Sequence, residues 1–148
     1  MDENDPRLRQ LVERVDLFRG LSTSDVAKIF ARGRTEIVPK GETIFFQGTT
    51  GSTMYVVLGG TVGVFDGKQQ LNALHVGDTF GEMSLLCQEP RSATIVALEN
   101  SRVFVLDETL FNKILTKRVA VQVLLNIGRM MSKRLVQANK ALKAAKGD

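Results

Sequence analysis

Residues 80–97 read FGEMSLLCQEPRSATIVA. This run opens on a glycine turn, places the acid Glu82 nine residues before the base Arg91, and ends in a β-branched stretch. Gly81 lets backbone N–H groups approach a ligand closely, because it has no Cβ. The planar guanidinium of Arg91 can hold a phosphate through two parallel hydrogen bonds. Glu82 would repel a phosphate but can accept a hydrogen bond from a sugar hydroxyl. The run therefore predicts a cradle for a small anion that also carries hydroxyl groups.

The middle of the run favours one short helical turn over residues 83–86, which Pro90 prevents from continuing. The first N–H groups of such a turn lack partners within the helix and attract phosphate. A surface hairpin with an incidental Glu–Arg pair is the alternative, and an exposed pair of that kind contributes about 0–1 kcal/mol. On spacing alone, both interpretations stay open.

Length and composition indicate one globular domain over residues 1–148. Hydrophobic residues make up 43% of the chain and charged residues 24%, as in ordinary globular proteins. No apolar stretch approaches the ~20 residues of a membrane span, and the acidic N-terminus lacks the features of a secretory signal. The one cysteine, Cys87, cannot form an internal disulfide. These features predict a cytoplasmic protein without membrane contact.

The chain divides into three stretches by pattern. Residues 1–33 favour two helices with a break over 16–21, the second capped by Ser22 or Ser24 and ending near Gly33. Residues 34–106 favour short strands separated by glycine turns, as in a sandwich or barrel, with Asp66-Gly67 as a hairpin turn. The runs predicted as strands are 35–38, 43–46, 54–58, 60–65, 70–74, 93–98 and 102–106.

Residues 107–148 favour helices again. Asp107 can cap a short helix over 108–115, and a long helix is predicted over 117–146. Apolar residues recur along it every three or four positions, at Val121, Leu124, Ile127, Met131, Leu135, Ala138, Leu142 and Ala145. This stripe could pack on the chain's own strands or on a second copy. Thirty residues span about 45 Å, so residues 135–145 are expected to overhang, and we favour a homodimer through this helix.

These motifs together resemble the cyclic nucleotide-binding domain family. Phe80-Gly81-Glu82 and the run 90–94 (PRSAT) are similar to its phosphate-binding cassette, which covers residues 80–94 here. The resemblance extends over roughly residues 15–142, through the motifs at 17–21, 41–48, 54–57 and 60–62. It implies a mainly β, α+β fold: an eight-stranded jelly-roll β-barrel flanked by N-terminal helices and by C-terminal B and C helices.

The resemblance also implies which residues contact a ligand. Arg91 is expected to bind the cyclic phosphate, and Glu82 and the Gly81 N–H the ribose 2′-hydroxyl. The N–H groups of Ser84 and Ser92 are expected to be further phosphate donors, and the Ser92 hydroxyl to add a bond. The cassette positions expected to line the ligand are Gly81, Glu82, Met83, Ser84, Arg91, Ser92 and Ala93.

Other parts of the ligand site are less closely specified. Val62, Val64 and Leu74 are candidates for the walls around the base, and Met131, Arg134 or Leu135 for a lid from the long helix. Ser92 after the arginine favours cAMP over cGMP by resemblance. The family often has an acidic residue where this chain has Thr49-Thr50, and the departure is expected to affect that loop and not binding.

The sequence therefore predicts a sensor that binds a cyclic nucleotide, cAMP or cGMP, and relays occupancy through its C-terminal helix to a dimer or an unknown partner protein. A dimerisation or interaction module that does not respond to nucleotide is the alternative. No catalytic motif and no metal-ligand spacing occurs, and His75 is the sole histidine, so neither catalysis nor a metal is expected. Because the chain ends at Asp148, no DNA-binding domain and no specific DNA binding are expected.

Overall fold

The computed structural model describes residues 4–109, 112 and 117–147. Within these ranges eight strands form two antiparallel sheets, flanked by helices at both ends of the chain. The sheet orders are β1-β8-β3-β6 and β2-β7-β4-β5. The strands are β1 (Arg34–Val38), β2 (Thr43–Phe45), β3 (Thr53–Gly59), β4 (Val62–Asp66), β5 (Gln69–Leu74), β6 (Thr79–Phe80), β7 (Thr94–Ala97) and β8 (Ser101–Asp107). This two-sheet, eight-strand arrangement confirms the predicted jelly-roll fold.

The N-terminal helices begin and end where the sequence signals place them. Helix α1 covers Pro6–Arg14, a 3-10 turn covers Asp16–Phe18, and α2 covers Thr23–Arg32. Of the two candidate caps for α2, Ser22 is the one used: its side chain accepts a hydrogen bond from the N–H of Asp25, whose carboxylate accepts one from the Ser22 N–H. This reciprocal capping box satisfies two N–H groups that the helix itself cannot.

Two hydrophobic cores lie on the two faces of the same central strands. Strand β3 alternates between them: Tyr55 and Val57 pack between the sheets, whereas Met54 and Val56 face the helices. In β8, Val103 and Val105 face the core between the sheets, and Phe104 and Leu106 face the core formed with the helices. Because both faces of these strands are buried, their side chains are apolar nearly throughout. A strand with one solvent-exposed face would instead alternate apolar and polar side chains.

The structure contains the predicted hairpin between β4 and β5 and one strand, β6, that was not predicted. The hairpin between β4 and β5 lies one residue later than predicted: its two turn residues are Gly67 and Lys68, since Asp66 still pairs with Gln69. Gly67 has a φ of +58°, in the left-handed region that such a turn requires. Strand β6 is absent from the seven predicted runs because its two residues are too few to show a period. It pairs with β3 and leads directly into the cassette.

Helix α3 covers Glu82–Cys87 and α4 covers Lys117–Lys146. The predicted single stripe on α4 is wrong: it divides between two faces. Ile127 is buried and Met131 packs against the helical core. By contrast, 50% of Val121, 63% of Leu135 and 58% of Leu142 is exposed. Apolar residues spaced alternately three and four positions apart recur every 3.5 residues on average, whereas a straight helix has 3.6 residues per turn. Their stripe therefore winds slowly around the helix and covers more than one face.

The remaining C-terminal features agree with the described residues as far as these extend. Residues 132–146 of α4 are exposed, as expected for an overhanging end. Glu108 and Thr109 are helical, but most of the predicted short helix over 108–115 lies outside the described residues. In the part of the chain that the structure describes, no helix has both the length and the apolar character needed to cross a membrane.

Candidate functional site

A cavity of about 240 Å³ lies between α3, the strands of the β2-β7-β4-β5 sheet and the side of α4. All seven predicted site residues line it, so the structure brings the cassette positions together. The other lining residues come from strands, from the loop after α3 and from α4: Phe45, Val64, Asn72, Leu74, Thr79, Phe80, Pro90, Ile95 and Arg134.

Arg91 is the buried cation of this cavity, with a relative exposure of 5%. Its Nη1 donates to the main-chain oxygens of Thr53 (2.9 Å) and Gly81 (3.2 Å), and its Nη2 donates to Thr53 Oγ1 (2.9 Å). None of these acceptors carries a charge. Within the described residues, no carboxylate forms an ion pair with Arg91. The site therefore holds a buried positive charge that neutral groups solvate.

A cluster of three aromatic rings contacts the same guanidinium through Phe45. Its Cζ lies 4.1 Å from the centroid of the Phe45 ring, a cation–π contact. Tyr55 and Phe80 stack with centroids 4.9 Å apart, and Phe45 lies 5.9 Å from each of them. Burial among these groups lowers the pKa of Arg91 below its ordinary value. An anion placed here would lower the energy of the charged form, because it would replace lost hydration.

Gly81 forms the turn between β6 and α3. It has a φ of +83°, in the left-handed region where residues with a Cβ are strained. A Cβ on Gly81 would lie 2.9 Å from Arg91 Nη1 and 3.0 Å from the Thr53 oxygen. Only glycine therefore lets this turn pass so close to the guanidinium.

Glu82 does not face Arg91 as a partner across the cavity. It is 6% exposed, and its carboxylate Oε1 forms an ion pair with Nη1 of Arg134 on α4. Nη2 of Arg134 donates to the Thr79 main-chain oxygen at 2.7 Å. Of the three lid candidates only Arg134 reaches the cavity, since Met131 packs in the helical core and Leu135 is 63% exposed.

The other cassette residues surround these charges. Ser84 is buried, and its hydroxyl donates to the Glu89 main-chain oxygen at 3.0 Å, which closes the loop after α3. Ser92 is exposed at the rim, Ala93 is buried, and Met83 is 41% exposed. The Ser84 hydroxyl therefore stabilises the loop, and its main-chain N–H is the group that the resemblance assigns to a ligand.

The apolar walls match the sequence prediction at two of three positions. Val64 and Leu74 line the cavity, whereas Val62 is fully buried in the core between the sheets. Val62 and Val64 are two residues apart and face the same side of β4. Val62 lies within the core between the sheets, whereas Val64 is partly buried against that core and borders the cavity. Ile95 is a wall residue that the sequence reading did not name.

Thr49 belongs to a loop that borders the site directly. Its main-chain oxygen accepts a hydrogen bond from the Arg91 N–H at 2.8 Å, and the Gly48 N–H donates to the Arg91 oxygen at 2.8 Å. The sequence reading placed this loop away from the ligand. It missed the contact because the pairing joins segments more than 40 residues apart.

Thr53 and Phe45 are the functional candidates that the sequence did not indicate. Both contact the Arg91 guanidinium: Phe45 from the predicted strand 43–46, and Thr53 from the position just before the predicted strand 54–58. Within the described residues, no group of three or more His, Cys, Asp or Glu side chains could hold a metal ion.

Comparison with known proteins gives one consistent result. A family model described as "Cyclic nucleotide-binding domain" matches residues 35–118, more than half of the chain. The "Cyclic AMP receptor protein" of Thermus thermophilus is 37% identical over 95 residues, which are 61% of this chain and 44% of that protein. A "cAMP-dependent protein kinase regulatory subunit" of Mucor circinelloides f. lusitanicus is 32% identical over 101 residues, 68% of this chain and 24% of that one.

The solved structures agree with the sequence relatives. The Catabolite Activator Protein of Thermus thermophilus superposes with a TM-score of 0.78 at 32% identity, covering 88% of this chain and 63% of that one. The chain spans less than half the length of the two curated relatives named above. The family match includes the whole cassette and the strands that hold it, so this chain belongs to the cyclic nucleotide-binding domain family.

Proposed function

We propose that this chain binds cAMP in the cavity between α3 and the β2-β7-β4-β5 sheet, and relays the bound state through α4. The observation that carries the proposal is Arg91, a buried guanidinium with no carboxylate partner among the described residues. A cyclic phosphate supplies the missing negative charge and the planar pair of oxygens that an arginine binds best. The names of both curated relatives above refer to cyclic AMP, which supports cAMP as the ligand.

Each cassette residue then has a separate task. Arg91 binds the cyclic phosphate, assisted by the main-chain N–H groups of Ser84 and Ser92. The Glu82 carboxylate and the Gly81 N–H bind the ribose 2′-hydroxyl, which can both donate and accept a hydrogen bond. The Met83 and Ala93 side chains fill the remaining cassette surface of the cavity.

The base is proposed to lie on the apolar side of the cavity. Val64, Leu74 and Ile95 provide that wall, and Asn72 is the polar side chain among them that could bond a base edge. Arg134 lies at the same opening and holds it partly closed through Glu82 and Thr79. A base that enters therefore meets α4 directly.

The relay is proposed to run through two connections between the cassette and α4. The first is the Glu82–Arg134 ion pair. The second is Leu85 on α3, which is buried in the same core as Val123 and Ile127 of α4. A ligand that engages Glu82 competes for the carboxylate that α4 uses, so it changes the relative energy of the α4 positions. Such differential interaction is what a ligand needs to shift a conformational equilibrium.

The proposed output is a homodimer through the outer face of α4. Apolar side chains at Val121, Leu125, Leu135 and Leu142 are 50–63% exposed and follow a heptad spacing. Gly128 and Ser132 lie between them, and a Cβ on Gly128 would contact nothing, so a second helix could approach closely. A groove of about 680 Å³ covers the first part of this face, between Val121 and Ser132, and Asp16 and Arg19 also line it. Sedimentation of the wild type and of Leu135→Ser tests this output, since the substitution should weaken the dimer.

The competing function is a module that dimerises without responding to nucleotide. The contact that favours it is Arg134 on Glu82, which already uses the proposed ribose acceptor. Both functions are proposed as binding functions rather than catalytic ones. We propose the cytoplasm as the compartment, because the one cysteine, Cys87, is exposed and unpaired.

Calorimetric titration with cAMP, cGMP and 5′-AMP separates these functions. We expect saturable binding of cAMP, weaker binding of cGMP, and little of 5′-AMP, whose phosphate is not cyclised. Arg91→Ala is the matched negative control. If the wild type binds neither cyclic nucleotide at millimolar concentration, the sensor function is wrong and the nucleotide-independent module stands.

A further inference from the structure

Thr53 contacts the Arg91 guanidinium through two of its own oxygens. The main-chain oxygen accepts from Nη1 and the hydroxyl Oγ1 accepts from Nη2, both at 2.9 Å. Together these oxygens form a neutral fork that meets the end of the guanidinium. The third acceptor, the Gly81 oxygen, takes the other N–H of Nη1.

The direction of the Thr53 hydroxyl is fixed by a further neighbour. Thr53 Oγ1 donates its one hydrogen to the Tyr55 hydroxyl at 3.2 Å. Because a hydroxyl has a single hydrogen, its lone pairs are left to accept from Arg91. Tyr55 is itself buried and stacked on Phe80, so this chain of hydrogen bonds is held by the core between the sheets.

Gly51 limits the space around the same guanidinium. A Cβ on Gly51 would lie 2.7 Å from Arg91 Nη2 and 3.2 Å from both Cζ and Nε. Its φ is outside the left-handed region, so alanine there would be a steric change without backbone strain. The segment from Gly51 to Thr53 therefore shapes a close-fitting cradle for the arginine.

The cradle leaves a defined part of the guanidinium for a ligand. Arginine has five N–H donors, and the contacts with Thr53 and Gly81 use three. The two that remain, on Nε and Nη2, lie on one edge of the planar group. They are parallel and spaced to bind two oxygens of one phosphate.

We infer that Thr53 is a positioning residue for ligand binding, and that the Gly51–Thr53 cradle orients Arg91 with neutral acceptors so that its full charge is available to a phosphate. The inference rests on the proposed function for the identity of the ligand. A carboxylate in place of Thr53 would orient the guanidinium too, but it would also neutralise it. Uncharged oxygens orient Arg91 without supplying a competing anion.

The test compares Thr53→Val with Thr53→Ser and adds Gly51→Ala. Valine has the shape of threonine but no hydroxyl, whereas serine keeps it. We expect Thr53→Val to bind cAMP about 10- to 100-fold more weakly, because a hydrogen bond to a charged group contributes on that order. Thr53→Ser should bind within a few-fold of the wild type. Gly51→Ala keeps the Thr53 hydroxyl, but it should also bind cAMP more weakly, because the new Cβ displaces the Arg91 guanidinium.

A spectroscopic measurement on the free protein separates positioning from general loss of structure. In ¹⁵N NMR spectra, the Arg91 Nη groups should give separate, slowly exchanging signals in the wild type and in Thr53→Ser. In Thr53→Val they should merge, while the backbone amide spectrum keeps its dispersion. Equal affinity of Thr53→Val and the wild type for cAMP would overturn the inference.

Inorganic sulfate keeps the inference testable if the proposed function fails. Should the wild type bind no cyclic nucleotide, sulfate is still expected to raise the melting temperature, and both Arg91→Ala and Thr53→Val should reduce that rise. A sulfate effect that is the same in the wild type and in Thr53→Val would overturn the positioning role independently of the nucleotide.

Discussion

Arg134 and Glu82 form an ion pair that joins the long C-terminal helix to the first turn of α3, beside the cavity that Arg91 lines. The two residues are 52 positions apart, and Glu82 is 6% exposed whereas the Arg134 side chain is 45% exposed. The same guanidinium also bonds the Thr79 oxygen, so a single side chain of α4 contacts both β6 and the start of α3. This is a direct polar link between the proposed binding site and the helix proposed to transmit its state, and the contact of Thr79 Oγ1 with Met130 Sδ at 3.7 Å is another.

Arg134→Ala should lower the free energy of unfolding by about 1–3 kcal/mol, because it leaves the buried Glu82 carboxylate without its partner. The value is below that of a fully buried pair, since water screens the exposed arginine. Glu82→Gln in the Arg134→Ala background should restore part of the loss. Urea denaturation of the two single variants and the double variant measures the coupling. Lys133→Ala, an exposed neighbour on α4, is the control, and a loss equal to that of Arg134→Ala would contradict the prediction.

Arg91→Ala should weaken cAMP binding by about 2–5 kcal/mol, which corresponds to tens- to thousands-fold in the dissociation constant. Arg91→Lys should also bind weakly, because a lysine keeps the charge but cannot form two parallel hydrogen bonds. Calorimetry gives both values. Arg102→Ala removes an exposed arginine of β8 and should leave the affinity unchanged. Undiminished affinity of Arg91→Ala would show that the phosphate binds elsewhere.

Gly81→Ala should both destabilise the protein and weaken cAMP binding. It introduces strain at a φ of +83° and a Cβ 2.9 Å from Arg91 Nη1. Gly41→Ala is a matched control away from Arg91, because its φ is +89° and its Cβ would meet nothing within 4 Å. It should show only the backbone strain, about 1–2 kcal/mol. Equal effects of the two substitutions on affinity would mean that the close approach to Arg91 has no role in binding.

Asn126→Ala should lower the free energy of unfolding by about 1–3 kcal/mol, because it leaves buried acceptors without donors. Asn126 is 2% exposed on α4, and its Nδ2 donates at 2.8 Å to the main-chain oxygens of Leu17 and Arg19. These bonds fix α4 against the turn after α1. Asn139→Ala, on the exposed end of the same helix, is the control and should change the stability little. Chemical denaturation monitored by circular dichroism measures both.

Asp25 should make stability depend on acidity. Burial opposes ionisation of Asp25, but hydrogen bonds from Arg118, at 2.8 Å, and from Ser22 outweigh it, so its pKa lies below the ordinary value of 3.8. A carboxyl whose pKa is lower in the folded state stabilises the protein above its unfolded pKa, and this contribution is lost as the pH falls through the folded value. The stability difference between the wild type and Asp25→Asn should therefore be constant above about pH 5 and shrink toward pH 2.

Denaturation in urea at several pH values between 7 and 2.5 follows this difference. The partly exposed Asp5, which caps α1, has its own pKa lowered to about 2 by hydrogen bonds from Arg7, so Asp5→Asn serves as a comparison variant. A wild-type advantage over Asp25→Asn that persisted unchanged at pH 2.5 would contradict the assignment to Asp25.

The sequence by itself determined the features that depend on neighbours along the chain. The Ser22 capping box and the Gly67 hairpin are each set by residues within a few positions of one another, and the cassette over residues 80–94 is one continuous segment. Turn and cap geometry require particular side chains at fixed short spacings, so these motifs can be identified without the fold.

The tertiary structure decided which distant groups complete the site. Thr53 and Phe45 reach Arg91 from separate strands, and Arg134 reaches Glu82 from a helix whose facing side depends on how α4 packs against the N-terminal turn. Strand register and helix rotation each follow from many weak contacts across the two cores. A one-residue change in either would turn these side chains away, so no local spacing in the chain encodes them.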